Sequence, residues 1–342
     1  MTASLDLKNG RVNMTHGSGG RAMAQLIEQL FAKAFDNPAL AESNDQARLD
    51  VPKGRLAFST DSFIISPPFF PGGDIGSLAV HGTINDVAMS GAKPLWLSAG
   101  FILEEGFLLA DLKRIIESMS EAAKKCDVAI VTGDTKVVEK GKADGLFINT
   151  AGIGVIGDGV DLSAHNVKAG DAILLSGSIG DHGMAVMSKR ESLAFDSEII
   201  SDSAPLHDLV ACMLKTGAEI HALRDPTRGG LATTLNEIAQ TAKAGMRLDE
   251  QAIAVRPEVR SACEILGLDP LYVANEGRLI AFCPGKDADK LLKAMRAHEY
   301  GREASIIGNV VLDEHHFVEM RTTLGGNRIV DWLAGEPLPR IC

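Results

Sequence analysis

No two of the five cysteines (Cys126, Cys212, Cys263, Cys283 and Cys342) form a Cys-x-x-Cys pair. An odd count in a chain of 342 residues does not describe a disulfide framework. The first four lie in apolar or helical surroundings and are expected to be inert core thiols of a reduced, cytoplasmic protein. No apolar stretch approaches the roughly 20 residues needed to span a bilayer. The longest nearly apolar run, residues 146–156, is interrupted by Asn149 and Thr150. Residues 1–14 are polar and carry no apolar core segment, so no signal peptide is expected there. Positive charge is in deficit, with 34 Lys and Arg against 45 Asp and Glu, a net charge of -11. That argues against nucleic acid as the main partner and suits a chain that gathers carboxylates around a divalent metal. There is no Gly-x4-Gly-Lys-Ser/Thr pattern, which excludes a P-loop enzyme. Gly152-Ile153-Gly154 lacks the third glycine and the following helix of a dinucleotide fold.

What is present is an ordinary soluble composition, 45% hydrophobic and 23% charged. The length exceeds what one core usually serves, so two domains are expected. Apolar residues at Met23, Leu26, Ile27, Leu30 and Phe31 predict a helix over 21–35. His16-Gly17-Ser18-Gly19-Gly20 leads into it as a loop whose helix N-terminus offers N–H groups to an anion. Strands are expected over 55–60, 95–103, 128–132 and 147–155, and helices over 75–90 and 108–125. Residues 157–170 read as the domain boundary. Beyond it the spacing predicts strands over 172–176, 278–283 and 304–311. Helices are predicted over 180–189, 205–216, 230–242, 257–266 and 287–298. The resulting division is residues 1–160, 161–320 and a polar, irregular tail 321–342. Strands and helices do not alternate as βαβ units, so the class is α+β.

Four acids sit at expected strand ends or in glycine-bearing turns: Asp61, Asp86, Asp134 and Asp225. Singly, each is also an ordinary turn or cap residue. Convergent, they would form the oxygen-rich site that magnesium prefers. The chain then stops on Glu336-Pro337-Leu338-Pro339-Arg340-Ile341-Cys342. Two prolines keep this segment extended and off any helix, leaving one thiol at the tip of an arm. The alternative is a terminal cysteine of no consequence on a disordered end.

Ser59-Thr60-Asp61-Ser62, His81-Gly82-Thr83-Ile84-Asn85-Asp86, Val131-Thr132-Gly133-Asp134-Thr135-Lys136 and Arg224-Asp225-Pro226-Thr227-Arg228-Gly229-Gly230 together resemble the ATP site of the PurM-like superfamily. Its members include aminoimidazole ribonucleotide synthetase, selenophosphate synthetase and thiamine-monophosphate kinase. Phe69-Phe70-Pro71-Gly72-Gly73-Asp74-Ile75-Gly76 and the terminal Pro339-Arg340-Ile341-Cys342 are similar to its hydrogenase-maturation branch. The resemblance runs from His16 to Cys342.

It implies an N-terminal ATP-binding domain that forms a homodimer through its sheet, a C-terminal α+β domain and a mobile tail. The implied reaction starts when a carbamoyltransferase, HypF, places a carboxamide on Cys342. ATP with Mg2+ then drives dehydration of this thiocarboxamide to thiocyanate. The cyanide passes to iron on a HypC–HypD complex. Asp61, Asp86, Asp134 and Asp225 are expected to hold magnesium bridging the ATP phosphates, and Gly19 and Gly20 to close over them. Lys136 would neutralise charge on the transferred phosphoryl group, unless it is a solvated surface lysine. Glu276, in the turn Ala274-Asn275-Glu276-Gly277, is the candidate base for the carboxamide nitrogen, or else an ordinary surface turn. Asn85 and Asn275 are candidate hydrogen-bonders to substrate or phosphate. His81 is expected to be structural. Two other readings are weighed: a PurM-like phosphotransferase acting on a small molecule, and a non-catalytic docking protein with a metal- or disulfide-forming terminal thiol.

Overall fold

The computed structural model describes residues 5–42, 44, 46–191, 198–335, 338 and 340–342. Glu336, Pro337 and Pro339 of the tail, on which the expected extended arm partly rests, lie outside the described residues. Among the described residues no helix is long and apolar enough to cross a membrane.

The first domain is built on four strands: β1 (Arg55–Phe63), β2 (Ala92–Glu104), β3 (Ala129–Val138) and β4 (Leu146–Ile156), in the order β1-β4-β2-β3. The β1/β4 and β4/β2 pairs are antiparallel, and β2/β3 is parallel. Successive side chains on a strand point to opposite faces. On β1, Ala57 and Phe63 turn inward and are buried, while Leu56, Phe58, Thr60 and Ser62 turn outward and are exposed. Helix α1 (Arg21–Leu26) opens the chain's helical leader, and two longer helices cover the sheet's inner face. These are α2 (Ile75–Met89) and α3 (Leu109–Lys125). Asp74 caps α2 by accepting from the Gly76 and Ser77 N–H groups. The amphipathic α3 buries Leu112, Ile115, Ile116 and Met119 completely.

Helix α2 is apolar nearly all round because it is sandwiched. One side lies on the sheet, so close that a Cβ at Gly154 would meet Val87 Cγ1 at 2.5 Å and the Lys93 carbonyl at 2.8 Å. The glycines that fail as a nucleotide fingerprint therefore serve helix-on-sheet packing. The other side meets the second domain, where Ala88 and Met89 share a cluster with Leu206 and Leu209.

The second domain carries β5 (Asp171–Leu175), β6 (Ala222–Arg224), β7 (Gly245–Asp249), β8 (Ile280–Pro284), β9 (Ser305–Val311), β10 (Val318–Arg321) and β11 (Asn327–Ile329). Their order is β11-β10-β7-β9-β5-β8-β6. With these go α4 (Asp181–Arg190), α5 (His207–Lys215), α6 (Gly230–Ala242), α7 (Pro257–Leu266) and α8 (Ala288–Ala297). The architecture is α+β in both halves.

Three details depart from the sequence reading. Residues 133–136 continue β3 rather than forming a turn after it. Strands β6, β7 and β10 are absent from the expectation, because runs of three to five residues give too little periodicity. The expected tail begins too early. Asn327–Ile329 pairs with Val318–Arg321, and buried Val330 donates to the Val318 carbonyl at 2.7 Å.

Candidate active site

Asp61 leaves the inner face of β1 and Asp86 leaves α2 beside it, where the Ser59 hydroxyl donates to Asp86 Oδ2 at 2.7 Å. From the second domain come Asp225, in the loop after β6, and Glu276, in the turn before β8. That turn is fixed by buried Asp202, whose carboxylate accepts from the Glu276 and Gly277 N–H groups at 3.4 and 3.0 Å. A Cβ at Gly277 would lie 1.7 Å from the Asp202 carbonyl, so no side chain fits there. Asn275 ties the turn down by donating to the Pro226 carbonyl at 2.9 Å and accepting from the Gly180 N–H at 2.8 Å.

Asp61, Asp86, Glu276, Arg228, Thr233 and Cys342 line one cavity of about 490 Å3. Helix α6 begins at its wall. Gly229 and Gly230 hold φ of 80° and 63°, and no side chain caps the helix. Buried Thr233 Oγ1 has no hydrogen-bond partner among the described residues. An uncapped helix N-terminus with a spare hydroxyl suits an anionic ligand.

The electrostatics follow from crowding. Burial raises Asp61, and neighbouring Asp86 adds to the effect. Burial likewise raises Asp86, against the pull of the Ser59 hydrogen bond. Asp225 is pushed up to about 7, by burial first and Asp86 second. Burial, then Asp225, drives Glu276 well above the ordinary carboxylate range. The Cys342 thiol rises to about 11, by burial and then the Glu276 carboxylate. Carboxylates this close repel, and the cluster holds extra protons. An added cation removes that repulsion, and an all-oxygen donor set fits a hard divalent ion. Among the described residues, however, no three His, Cys, Asp or Glu side chains form a ready-made metal cage.

The thiol is held in place by main-chain hydrogen bonds to the segment that follows β1. The Ile64 N–H donates to the Cys342 carbonyl at 3.1 Å, and the Ser66 N–H to that of Arg340 at 3.3 Å. Arg340 Nε returns a bond to the Ile64 carbonyl at 3.1 Å, and its guanidinium pairs with Asp144. Arg190 Nη2 donates to the Arg340 carbonyl at 2.7 Å, and His182 Nε2 to that of Ile341 at 2.9 Å. The Ile341 side chain is 4% exposed, within the first domain's core. Arg228 Nη2 lies 3.8 Å from Cys342 Sγ.

Two sequence expectations need correction. The four acids do not converge within one chain. Asp134 follows Gly133, which shares a row with Asp61 through Thr150 and Ala99. It therefore stands three strand spacings away, roughly 14 Å, and points from the opposite face. There it is exposed and bonded to Lys136 Nζ, both carboxylate oxygens at 2.6 Å. That ammonium holds Asp134 below the usual carboxylate range. The loop bearing Gly19 and Gly20 sits at this same edge, with Gly17 against Val137. Asn85 is also unavailable to a ligand. It is buried, donating to the Ala204 and Glu276 carbonyls at 3.0 and 3.3 Å and accepting from the Leu206 N–H at 2.8 Å. Asn275 is saturated in the same way. His81 is structural, 3.1 Å from Ser203 Oγ and lowered to about 4 by burial.

Sequence reasoning missed Thr233, His182 and Arg190. Thr233 left one signal, its place in the first turn of a glycine-led helix. The other two left none.

Residues 43–156 match the N-terminal domain of AIR synthase related proteins, and residues 168–321 match their C-terminal domain. Fold and site together define an AIR synthase related protein with an acidic cavity between its two domains. A carbamoyl dehydratase HypE of Azotobacter vinelandii is 65% identical over 338 residues, 99% of each chain. The crystal structure of a hydrogenase maturation protein HypE in complex with ATP has a TM-score of 0.93 at 51% identity, covering 96% of this chain and 99% of that one. A HypE–HypF complex gives 0.79 at 51% identity, covering 90% and 99%. The chain belongs to the HypE family of hydrogenase maturation proteins.

Proposed function

We propose that the chain is an ATP-dependent carbamoyl dehydratase acting on its own terminus, converting an S-carboxamide on Cys342 to a thiocyanate that supplies the cyanide ligand of a NiFe hydrogenase. One observation carries this reading: the Cys342 sulfur lines the same cavity as Glu276 and the acid cluster. An amide oxygen is a poor leaving group, and ATP with magnesium supplies the phosphoryl group on which it departs. Asp61, Asp86 and Asp225 are the residues for the cation, and the open end of α6 with Thr233 Oγ1 serves the phosphates. Glu276 takes a proton from the carboxamide nitrogen. It acts as a base once a cation held by its neighbours relieves the crowding that keeps a proton on it.

Asp134, Lys136, Gly19 and Gly20 reach such a site only from a second copy. The outward face of the first sheet supports a homodimer. It exposes Leu56 at 57%, Phe58 at 69% and Ile102 at 43%, beside Asp134 and Lys136. An apolar patch of this kind marks an association surface. The half-buried thiol is held among the acids, so loading by an external enzyme calls for it to leave this cavity. The segment after Val330 therefore works as an arm that swings out to HypF and to HypC–HypD, in a reducing cytoplasm.

Intact-mass spectrometry tests the whole reading. After the carbamoyl donor and HypF, Cys342 gains a carboxamide; after ATP it loses the mass of one water. A chain whose ATP turnover is unaffected by removal of Cys342 would instead be a small-molecule phosphotransferase.

A further inference from the structure

The terminal tripeptide is held as a bound peptide is held. Each of its three residues has a main-chain oxygen that accepts from a donor far back in the chain: Arg340 from Ser66 and Arg190, Ile341 from His182, and Cys342 from Ile64. Main-chain pairing of this sort supplies affinity, and side-chain sockets supply specificity. There are two sockets here, the acidic Asp144 for Arg340 and an apolar pit for Ile341. His182 is set up for its task. Its Nδ1 accepts from the Ser201 hydroxyl at 2.8 Å, which leaves Nε2–H aimed at the Ile341 carbonyl. The segment is not sealed in, either. A cleft of about 330 Å3 runs alongside, lined by Ile341, Leu338, Leu333 and Tyr272. Nothing in this arrangement requires the tripeptide to be covalently joined to the chain that receives it.

We propose that the groove between Ile64–Ser66 and His182 is a peptide-binding site that accepts a separate peptide ending in Arg-Ile-Cys, and that an S-carboxamide on that cysteine is dehydrated in trans. This rests on the dehydratase reading and extends its substrate class from the chain's own terminus to any short peptide with that ending. The balance is unchanged. The amide oxygen leaves on phosphate as ATP becomes ADP, two N–H protons depart, and the carbon–nitrogen triple bond stays on the peptide sulfur. Recognition is local: a basic residue two before the end, a branched apolar residue one before it, and a free main chain.

The test uses the full chain carrying Ile341→Asp, which expels its own tail by placing a charge in the apolar pit. A fluorescent peptide Leu-Pro-Arg-Ile-Cys is titrated and followed by anisotropy. The S-carbamoylated form is then supplied with ATP and magnesium and followed by mass. Saturable binding, weakened roughly tenfold or more when the peptide's Ile becomes Asp, together with loss of one water from the peptide, supports the proposal. Should Ile341→Asp compromise folding, Arg340→Glu expels the tail by repulsion from Asp144 without touching the core. Absence of binding, while the intact carbamoylated chain dehydrates normally, overturns the proposal and leaves the dehydratase reading standing. Binding without peptide dehydration, while the intact chain turns over, overturns activity in trans. Failure of the intact chain itself overturns the dehydratase reading and the proposal with it.

Discussion

Asp61 and Asp134 leave the same four-stranded sheet on opposite faces, three strands apart. Asp61 joins Asp86, Asp225 and Glu276 over the inner face, and Asp134 stands in solvent with Lys136. Within one chain these two groups of side chains therefore cannot meet.

Mixing follows from that arrangement. Asp61→Asn and Asp134→Asn chains are each expected to be inactive alone. Randomly reassorted dimers recover about a quarter of wild-type activity, because half the dimers hold one site with neither substitution. Steady-state ATP turnover after dissociation and remixing measures it. No recovery means that each site is complete within one chain. Phe58→Glu, on the outward face, should yield monomer in ultracentrifugation.

Glu276→Gln keeps the cavity's shape and removes the base. ATP binding persists, while dehydration slows by about 10²–10⁴, the usual worth of general base catalysis. The carboxamide adduct then accumulates in intact-mass spectra. An unchanged rate assigns the proton to another group.

Cys342→Ser leaves ATP binding intact, since the acid cluster and α6 do not depend on the thiol. No carboxamide adduct forms and no cyanide-bearing hydrogenase matures. Normal maturation in a cell carrying only this variant overturns the reading.

The Asp225 carboxyl, at about 7 when folded against 3.8 ordinarily, makes stability fall as pH rises. Between those values the folded state binds the additional proton, so the advantage is full below pH 4 and gone above 7. In metal-free protein the melting temperature should therefore decline across that window. Asp225→Asn flattens the slope by an amount bounded at about 4 kcal/mol. Magnesium restores stability at neutral pH by replacing the proton. A melting profile insensitive to both removes Asp225 from the cluster.

Asp144→Lys opposes Arg340 and should release the tail. Limited proteolysis after Val330 then becomes faster than in wild type without ATP, with the rest of the chain unaffected. Equal protection in both proteins means that the main-chain contacts to Ile64 and Ser66 suffice alone.

Much of this was legible in the residue pattern. Helices α6 and α7 were read to the residue, because a glycine-led start and a proline at the first turn mark their ends. Asp61, Asp86, Asp225, Glu276 and Cys342 each had an ordinary reading alone and were singled out through the family resemblance of their motifs. Asp61, Asp86, Glu276 and Cys342 line one cavity, and Asp225 lies near enough for its charge to raise Glu276.

Tertiary structure decided the rest. An alternating strand tells which residues share a face, but only packing says which face meets a helix; Asp134 was lost on that point. Asn85 sits in a motif beside Asp86, one helical step round, and that step turns it into the domain interface, where backbone groups take both its N–H donors and engage its carbonyl oxygen. The tail's hold on the protein lies in carbonyls received by Ile64, Ser66, His182 and Arg190. Backbone acceptors are identical in every residue, and no sequence pattern records which distant donor they will find.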